Sequence, residues 1–332
     1  MTDTAQIVEL LRGRRVAVLT GAGCSTESGI PDYRGLDTPP RSRPPIQHRE
    51  FVDKPDARRR YWARSLLGWP RLAHARPNAG HAALARLERV GCVTGLITQN
   101  VDGLHGAAGS HHVVELHGAI ARVRCLACGE LTSRAALQER LLDANPAWRA
   151  VAAPSGATAG DLIGRADANA GIVPGDLIGR SDENAGITPG DLIGRSDANA
   201  GLIGRAEDSD PIAGIAPDGD ADLPDRLIAD FRIVPCAACD GTLMPDVVFF
   251  GGSVPRATLD AAWRAFDDGE VLLVVGSSLA VFSGYRFVRR AHERGIPIAI
   301  LNRGPTRGDP HATLRVDARA GDALAEIADR LA

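Results

Sequence analysis

The sequence predicts an α/β fold with a parallel sheet, a smaller metal-binding module with four cysteines and an insertion of tandem repeats. Three observations lead to this prediction. Short apolar runs of strand length alternate with segments that carry apolar residues at helical spacing, which is typical of parallel sheets covered on both faces. Two CxxC pairs lie far apart along the chain. Between these pairs, one short unit is repeated.

The secondary structure follows from the same patterns. Compact apolar runs predict strands at residues 14–20, Val93–Thr98, Val271–Val275 and Ile298–Leu301. Helical spacing, closed by a glycine in the first two cases, predicts helices at residues 81–90, 285–294 and 322–331. Because strands alternate with helices, we expect parallel βαβ units. The span 35–77 is rich in Pro and Arg and does not fit this scheme, so it is predicted to be an irregular, mobile segment over a site.

The two CxxC pairs predict a metal site. Cys125 and Cys128 form the first pair, and Cys236 and Cys239 form the second. This spacing lets two thiolates of one tight turn hold one metal ion, and two such turns complete the tetrahedral geometry of structural zinc. Since all four ligands are thiolates, no coordination position remains open for catalysis. Two unrelated pairs of buried or redox-active thiols are the alternative.

Composition and charge exclude several classes of protein. With 332 residues and 44% hydrophobic content, the chain can bury one large core or two smaller ones. A net charge of −3 argues against nucleic-acid binding as the main function. No apolar run reaches the ~18 residues of a membrane span, and the first residues lack the pattern of a secretory signal. Only Cys24 and Cys92 remain outside the metal pairs, which suits a reducing, cytoplasmic location.

Repeats are expected to occupy residues 155–213. The motif Gly160-Asp-Leu-Ile-Gly-Arg165 recurs at Gly175 and Gly190, with a partial copy ending at Arg205. The segment is acidic on balance and has no aromatic residue, so it cannot bury enough apolar surface to offset its chain entropy. We therefore expect a flexible loop grown by duplication. The alternatives are a small solenoid, a surface that docks a partner, and calcium binding through Asp-x-Asn-x-Gly units that lack the later ligands of a calcium loop.

A glycine-rich turn after the first predicted strand indicates a phosphate site. In Gly21-Ala-Gly-Cys-Ser-Thr26, the glycines let the backbone approach a phosphate, and amides at the next helix start favour an anion. The last glycine of GxGxxG is missing, and no acidic residue closes a second strand about 20 residues later. Alone, this motif fits a tight turn without a ligand equally well.

The full set of motifs resembles the sirtuin family in order and spacing. The turn continues as Gly21-Ala-Gly-Cys-Ser-Thr-Glu-Ser-Gly-Ile-Pro-Asp-Tyr-Arg34 and is followed by Thr98-Gln-Asn-Val-Asp-Gly-Leu-His105, Leu116-His-Gly118 and Gly276-Ser-Ser278. Leu301-Asn-Arg-Gly-Pro-Thr306 resembles the class II branch, which contains a mitochondrial lipoamidase and ADP-ribosyltransferase. The resemblance covers nearly the whole chain except the repeats. It implies an inverted Rossmann-type sheet that binds NAD, with one structural zinc ion.

The resemblance also implies three regions and a set of NAD-binding residues. Residues 1–120 and 241–332 would form the two parts of the NAD-binding domain, in which 35–77 is a cofactor-binding loop and small helical lobe. Residues 121–240 would form the zinc-binding module that carries the insertion. The implied NAD-binding residues are Gly21, Ala22, Gly23, Ser25, Thr26, Pro31, Asp32, Tyr33, Arg34, Gln99, Asn100, Asp102, Gly276, Ser277, Ser278, Asn302, Arg303, Gly304 and Ala320.

The activity implied by the resemblance is that of an NAD-dependent protein lysine deacylase, which transfers the acyl group from acyl-lysine to ADP-ribose and releases nicotinamide. His117 would be the general base, because an imidazole has a pKa near neutrality, and Asn100 and Asp102 would act beside it. Acylated lysines of proteins are the implied substrates, and neither nucleic acids nor membranes are expected as partners. The alternatives are mono-ADP-ribosyl transfer to a protein acceptor and an NAD-binding scaffold that acts through its repeats.

Two further segments are implied to contact the substrate. Val248, Phe249, Phe250 and Gly251 follow a proline as an apolar strand, and in the family this segment pairs with the substrate backbone. Tyr61 and Arg64 fit the Tyr-x-x-Arg pattern by which desuccinylating sirtuins hold an acidic acyl chain. This pattern predicts better turnover of succinyl-, glutaryl- or methylglutaryl-type lysines than of acetyl-lysine. An arginine on a solvated, arginine-rich helix is the alternative.

Overall fold

The computed structural model describes residues 3–35, 44–152 and 228–332. The repeats predicted at 155–213, together with the alternatives for their structure, lie outside these residues. Within the described ranges, no helix combines the length and the apolarity needed to cross a membrane.

The described residues form nine strands and ten α-helices. The strands are β1 (Val16–Thr20), β2 (Val93–Thr98), β3 (Val113–Glu115), β4 (Gly118–Cys125), β5 (Leu131–Ser133), β6 (Leu243–Val247), β7 (Val271–Val275), β8 (Ile298–Leu301) and β9 (Leu314–Val316). The helices are α1 (Asp3–Leu11), α2 (His48–Asp53), α3 (Pro55–His74), α4 (Ala79–Arg89), α5 (Leu104–Ala107), α6 (Arg134–Ala144), α7 (Arg149–Ala152), α8 (Arg256–Asp267), α9 (Phe282–Glu293) and α10 (Ala320–Leu331).

The larger sheet has six parallel strands in the order β3-β2-β1-β7-β8-β9. The chain builds outward from β1 to β3, returns to the other side of β1 as β7, and then continues outward to β9. This is the strand order of dinucleotide-binding sheets, in which a ligand lies at the carboxyl ends of the strands where the order reverses. The α/β fold with a parallel sheet is therefore confirmed.

The predicted strands and helices of this sheet agree closely with the observed ones. Strands β2, β7 and β8 have the predicted bounds, and β1 begins at Val16, two residues later than predicted. Helices α4, α9 and α10 begin two or three residues before the predicted starts. The outer strands β3 and β9 and the helices α1 and α8 were not predicted.

Helices cover both faces of the larger sheet. Leu84 of α4 and Leu324 of α10 pack on one face, in the same core as Val18 of β1. Phe266 of α8 and Phe287 of α9 pack on the opposite face. All five residues are almost wholly buried, and burial of each such side chain contributes roughly 1.5–3 kcal/mol. The two cores hold the carboxyl ends of the strands in fixed positions.

The smaller sheet is antiparallel, with the order β5-β4-β6. Within the described residues β6 pairs only with β4, so it is an edge strand. A proline is tolerated at such an edge because one row of N–H groups is not used in pairing, and Pro245 lies within β6. The predicted strand at residues 248–251 is wrong, because the strand ends at Val247 and only Phe250 forms a bridge, to Gln47.

The span 35–77 is not irregular in its described part. It contains α2 and the 20-residue helix α3, which begins at Pro55 and continues through Pro70. A proline is tolerated at the first helical position because its missing N–H would have no partner there. Buried side chains such as Trp62 and Leu66 pack α3 against the smaller sheet, in one core with Val123 of β4. Tertiary packing therefore stabilises a helix that its composition did not predict.

A buried arginine joins α3 to α6. Arg134 is fully buried, and its guanidinium lies 5.5 Å from the ring centroid of Trp62 and 5.3 Å from that of Trp69. It also donates a hydrogen bond of 3.1 Å to the carbonyl of Ser65. Burial lowers the pKa of Arg134 to about 10, so the group remains charged at neutral pH. Charge between two indole rings is stabilised by cation–π attraction, which is strongest where water is excluded.

Candidate active site

A cavity of about 1030 Å³ opens at the carboxyl ends of the central strands. Strands β1, β2 and β7 end level with one another, and the turns after them line the cavity. Most predicted site residues line it: Gly21, Ala22, Gly23, Ser25, Asp32, Tyr33, Arg34, Tyr61, Gln99, Asn100, Asp102, His117, Val248, Phe249, Phe250, Gly251, Gly276, Ser277, Ser278, Asn302, Arg303 and Gly304. Four of the residues predicted to bind NAD or substrate do not line it: Thr26, Pro31, Arg64 and Ala320.

The turn after β1 packs directly against the turn after β7. The N–H of Gly23 donates to the carbonyl of Gly276 at 2.8 Å. A Cβ atom added to Gly21 would lie 2.7 Å from Cβ of Ser277 and 2.8 Å from the Gly276 oxygen. Gly276 itself has a φ of +60°, a conformation that favours glycine. Bare backbone at this edge of the sheet lets a phosphate group approach closely.

A hydrogen-bonded polar group forms one wall of the cavity. The hydroxyl of Ser25 donates to Oδ2 of Asp102 at 2.7 Å and accepts a hydrogen bond of 3.0 Å from Nδ2 of Asn100. Asn100 also donates to the carbonyl of Gly21 at 3.1 Å, which ties this group to the glycine-rich turn. The Leu104 N–H donates to the other oxygen of Asp102 at 2.9 Å. These contacts fix three side chains that are predicted to bind NAD.

His117 presents a ring nitrogen that can accept a proton. Its Nδ1 lies 2.8 Å from the carbonyl of Gln99, and because a carbonyl can only accept, Nδ1 carries the hydrogen. In the neutral ring, Nε2 then has a lone pair, which accepts a hydrogen bond of 2.7 Å from the hydroxyl of Ser283. The pKa of His117 is lowered by burial and by the nearby charge of Arg286, against the effect of the Gln99 carbonyl. The ring is therefore neutral at pH 7 and ready to act as a base.

Gln99 connects His117 to the glycine-rich edge. Its carbonyl holds Nδ1 of His117, while its side-chain Nε2 donates to the hydroxyl of Ser277 at 2.8 Å. Its own N–H donates to the carbonyl of Thr20, the last residue of β1, at 3.0 Å. One residue thus contacts the ends of two strands and the candidate base.

The opposite end of the cavity lies beyond β8. Asn302 follows β8 directly and is 8% exposed. Its Nδ2 donates to the carbonyls of Arg303 and Gly304, both at 2.9 Å, and this closes a tight turn that lines the cavity. This arrangement places Asn302, Arg303 and Gly304, which are predicted to bind NAD, at the far side of the glycine-rich turns, as an extended dinucleotide requires.

The predicted substrate residues lie on the side of the smaller sheet. Phe249 packs on Tyr61, with ring centroids 5.3 Å apart, and Phe250 meets Tyr33 edge to face at 5.8 Å. The N–H of Val248 donates to the carbonyl of His117 at 2.8 Å, which fixes this segment beside the candidate base. Of the Tyr-x-x-Arg pair, only Tyr61 lines the cavity; Arg64 is 4% exposed within α3.

The four predicted metal ligands come together. The sulfurs of Cys125, Cys128, Cys236 and Cys239 lie within 4.8 Å of one another. Sγ of Cys125 is 3.5 Å from that of Cys239, and Sγ of Cys128 is 3.9 Å from that of Cys236. A Cβ atom on Gly241 would lie 2.8 Å from the Cys125 sulfur, so the chain leaves space there that only glycine allows. These four thiols fit a tetrahedral structural zinc ion, at which no position remains open.

Several residues that line the cavity were not predicted. They include Phe282, Ser283 and Arg286, all in the first turns of α9, and Arg307. The sequence did indicate that Phe282, Ser283 and Arg286 lie near the site, because the helix that contains them begins only a few residues after the Gly276 turn. A helix that follows a strand so closely must start at the edge of the sheet where ligands bind.

The strand order and the apposed glycine turns define a dinucleotide-binding α/β protein, and the imidazole of His117, the candidate base, lies in the same cavity. Comparison with known families agrees: the model of the Sir2 family matches residues 21–283. The chain belongs to the Sir2 family, the sirtuins, a family of NAD-dependent protein deacetylases and deacylases. The predicted family is confirmed.

Individual relatives cover almost the whole chain. NAD-dependent protein deacetylase 1 of Mycobacterium avium (strain 104) is 46% identical over 329 residues, which are 99% of this chain and 96% of the relative. NAD-dependent protein lipoamidase sirtuin-4, mitochondrial, of Homo sapiens is 40% identical over 330 residues, which are 97% and 86%. A solved structure described as "Structural Basis for the Mechanism and Regulation of Sir2 Enzymes" has a TM-score of 0.64 at 27% identity and covers 99% of this chain and 97% of its own.

Proposed function

We propose that this chain is an NAD-dependent protein lysine deacylase, which transfers the acyl group of an acyl-lysine to ADP-ribose and releases nicotinamide. One observation carries the proposal: Nε2 of His117 presents a lone pair in the cavity formed by the apposed glycine turns. A general base beside a dinucleotide site is what attack by a ribose hydroxyl needs. The similarity to a protein deacetylase over 99% of the chain supports the substrate class.

Different residues of the cavity would bind NAD and transfer the proton. The turns at Gly21 and Gly276 would hold the pyrophosphate, and the wall of Ser25, Asn100 and Asp102 would hold the nicotinamide end. His117 would take the proton of a ribose hydroxyl at Nε2, the position that the Ser283 hydroxyl contacts at 2.7 Å. The carbonyl of Gln99 would stabilise the resulting imidazolium through Nδ1–H.

The rim of the cavity supports a peptide substrate. Val281 and Phe282 are 37% and 45% exposed, and they line the same cavity as Phe250 and Gly251. An extended substrate peptide can lie between the pair Val281 and Phe282 and the pair Phe250 and Gly251. Because such a peptide binds through main-chain hydrogen bonds, its affinity depends little on its sequence. We propose that the residues around the acyl-lysine bind here.

An acidic acyl group is the proposed preferred substrate. Tyr61 and Arg286 both line the cavity, and Arg286 acts on the pKa of His117. The Nε–H of Arg286 is buried and meets no acceptor within the described residues. A carboxylate at the end of a succinyl-type chain would supply that acceptor, and a guanidinium with a phenol hydroxyl suits a carboxylate better than an acetyl group. Arg64, the partner of Tyr61 in the sequence pattern, lies outside the lining.

The cysteines support a reducing compartment. All six are free thiols, four of them in the metal cluster. Oxidation would remove the thiolate ligands, so we propose a cytoplasmic location, which fractionation of cells that produce the protein would test.

A panel of acyl peptides incubated with NAD tests the reaction. Mass spectrometry should detect free lysine peptide, nicotinamide and O-acyl-ADP-ribose in equal amounts. His117→Ala should lower turnover by about 10²–10⁴-fold, because general base catalysis contributes that much. His111→Ala, at an exposed histidine outside the cavity, is the matched control. Bound NAD without nicotinamide release for any acyl peptide would contradict the proposal, and label transferred from NAD to a protein would indicate ADP-ribosyl transfer instead.

The acyl preference has its own test. We expect a higher kcat/KM for succinyl- or glutaryl-lysine than for acetyl-lysine in matched peptides. Arg286→Gln should remove most of this difference, whereas Arg289→Gln, on the exposed side of the same helix, should keep it. Arg64→Ala separates the two arginines, since a loss of preference in that variant alone would assign the carboxylate to Arg64. An acetyl preference in the wild type would contradict the proposal.

A further inference from the structure

A second cluster of metal-ligating side chains lies behind the cavity wall. Sγ of Cys24 and one ring nitrogen of each of His81 and His105 lie within 4.8 Å of one another. Cys24 and His81 are completely buried, and His105 is 2% exposed. The three side chains come from the turn after β1, from α4 and from α5. The proposed deacylation uses none of them.

His105 has a buried nitrogen without a hydrogen-bond partner. Its Nε2 lies 2.9 Å from the hydroxyl of Thr20, which donates its own hydrogen to Thr98 at 2.8 Å. A hydroxyl has one hydrogen, so Nε2 of His105 is the donor in this contact. Nδ1 then carries the lone pair, and no group in the described chain donates to it. Metal-bound histidines show this pattern, with one nitrogen on the metal and the other donating to a fixed oxygen.

His81 offers the same arrangement in one of its two tautomers. Its Nδ1 accepts a hydrogen bond of 3.3 Å from the Asn78 N–H and also lies 2.9 Å from Oδ1 of Asn78, to which it would donate in the other tautomer. In that other tautomer Nε2 has the lone pair, and its contact in the structure is the Ser25 hydroxyl at 3.4 Å. That hydroxyl already gives its hydrogen to Asp102, so it does not donate to His81.

We propose that Cys24, His81 and His105 bind a second zinc ion, and that filling this site lowers the turnover of the enzyme. A thiolate with two imidazoles is a ligand set that zinc prefers among the common divalent ions of cells, and water can take the fourth position. Burial lowers the pKa of both histidines, which keeps them in the neutral form that binds metals. Burial raises the pKa of the Cys24 thiol, so zinc would have to displace its proton on binding. The site is distinct from the cluster of four cysteines.

The geometry explains why zinc would oppose turnover. Ligand atoms of a tetrahedral zinc site with one sulfur and two nitrogens lie about 3.3–3.6 Å apart. The three atoms here lie within 4.8 Å of one another, so any pair that exceeds the zinc-site separation must close on the ion. Cys24 follows Gly23, whose N–H holds the turn against Gly276. A shift of Cys24 on binding zinc would therefore change how the glycine-rich turn packs against its partner turn. A displacement of about 1 Å in a substrate-positioning segment can cost 10²-fold in rate.

The number of zinc ions bound per chain tests the second site independently of any enzyme assay. After dialysis against buffered free zinc, we expect about two zinc ions per chain in the wild type, one for each cluster of thiol and imidazole ligands. Cys24→Ala should hold about one, and Cys92→Ala, the same change at the thiol outside both clusters, should hold about two. One zinc ion per wild-type chain, or two in Cys24→Ala, would overturn the proposal.

Zinc K-edge absorption gives a second measurement that needs no variant. The four-cysteine cluster alone has a shell of sulfur only, whereas filling of the second site adds nitrogen at the ~2.0–2.1 Å distance of imidazole. A spectrum of the zinc-saturated wild type that fits sulfur alone would also reject the site.

The effect on turnover rests on the proposed deacylase activity and is measured separately. Free zinc should lower nicotinamide release by at least about tenfold in the wild type and in Cys92→Ala, but not in Cys24→Ala. Equal inhibition of all three proteins would overturn the regulatory effect. A protein that is inactive at every zinc concentration would count against the proposed function, while the metal count would still decide the site.

Discussion

Substitution of Gly21 by alanine probes the contact between the two glycine turns. The added Cβ would lie 2.7 Å from Cβ of Ser277 and 2.8 Å from the carbonyl oxygen of Gly276. Carbon atoms in contact prefer a separation of about 3.5–4.0 Å, so the first distance is short by about 0.8 Å or more. Neither neighbour is the end of a flexible side chain, and the turns must therefore move apart. Overpacking of this kind costs about 1–3 kcal/mol.

This cost should appear in one of two measured free energies. If the strain is present in the protein without NAD, the free energy of unfolding decreases by about 1–3 kcal/mol. If the turns relax apart and NAD must bring them together again, the free energy of NAD binding becomes less favourable by the same amount. A loss of 1–3 kcal/mol in binding corresponds to about a 5- to 150-fold increase in Kd. Urea unfolding and calorimetric titration with NAD would measure the two quantities in the same preparation.

Gly106 offers a matched control. It lies in α5, and a Cβ added there meets nothing within 4 Å. Gly106→Ala should leave the Kd for NAD unchanged and stabilise the helix by up to about 1 kcal/mol. If Gly21→Ala unfolded and bound NAD like the wild type, the contact between the turns would not have the role assigned to it here.

Three other predictions concern charge, metal and packing. Arg286→Gln should raise the pKa of His117, so the loss of kcat/KM on acidification should begin at a higher pH with an acetyl peptide; an unchanged pH profile would contradict this effect of Arg286. Cys128→Ser should release most of the zinc from the four-cysteine cluster and weaken peptide binding more than NAD binding, whereas Leu126→Ala in the same turn should keep the zinc. Arg134→Ala should lower the free energy of unfolding by about 3 kcal/mol, and Arg134→Met by less, because it fills the same space; equal losses would show that charge alone matters.

The four central strands of the larger sheet, β1, β2, β7 and β8, could be predicted because they are buried on both faces. A central parallel strand is apolar at nearly every position. Val271–Val275 and Ile298–Leu301 contain no polar residue, so the first and last residue of each strand could be read from the sequence. The metal site could be predicted because the CxxC spacing depends on one local turn. In both cases the information lies within a few neighbouring residues.

The smaller sheet and α3 could not be predicted in this way. The predicted strand was placed after the proline, but β6 includes Pro245 because it is an edge strand, in which a missing N–H costs nothing. The Pro- and Arg-rich composition of 35–77 predicted irregular structure, and only the resemblance implied a small helical lobe there. Packing against the smaller sheet and Arg134 stabilises a continuous helix through Pro70. The cluster of Cys24, His81 and His105 depends on the packing of three separate elements, so no local spacing in the sequence reveals it.

The double role of Gln99 has a consequence for the energetics of proton transfer. Its main chain is fixed by the end of β1, its amide group by the turn after β7, and its carbonyl holds the imidazole of His117. The ring thus has one orientation set by these contacts in the absence of both substrates, and Nε2, the atom proposed to accept the proton, is positioned from the end of β1 and the turn after β7. Catalytic dipoles that are aligned in advance spend no reorganisation free energy at the moment of reaction.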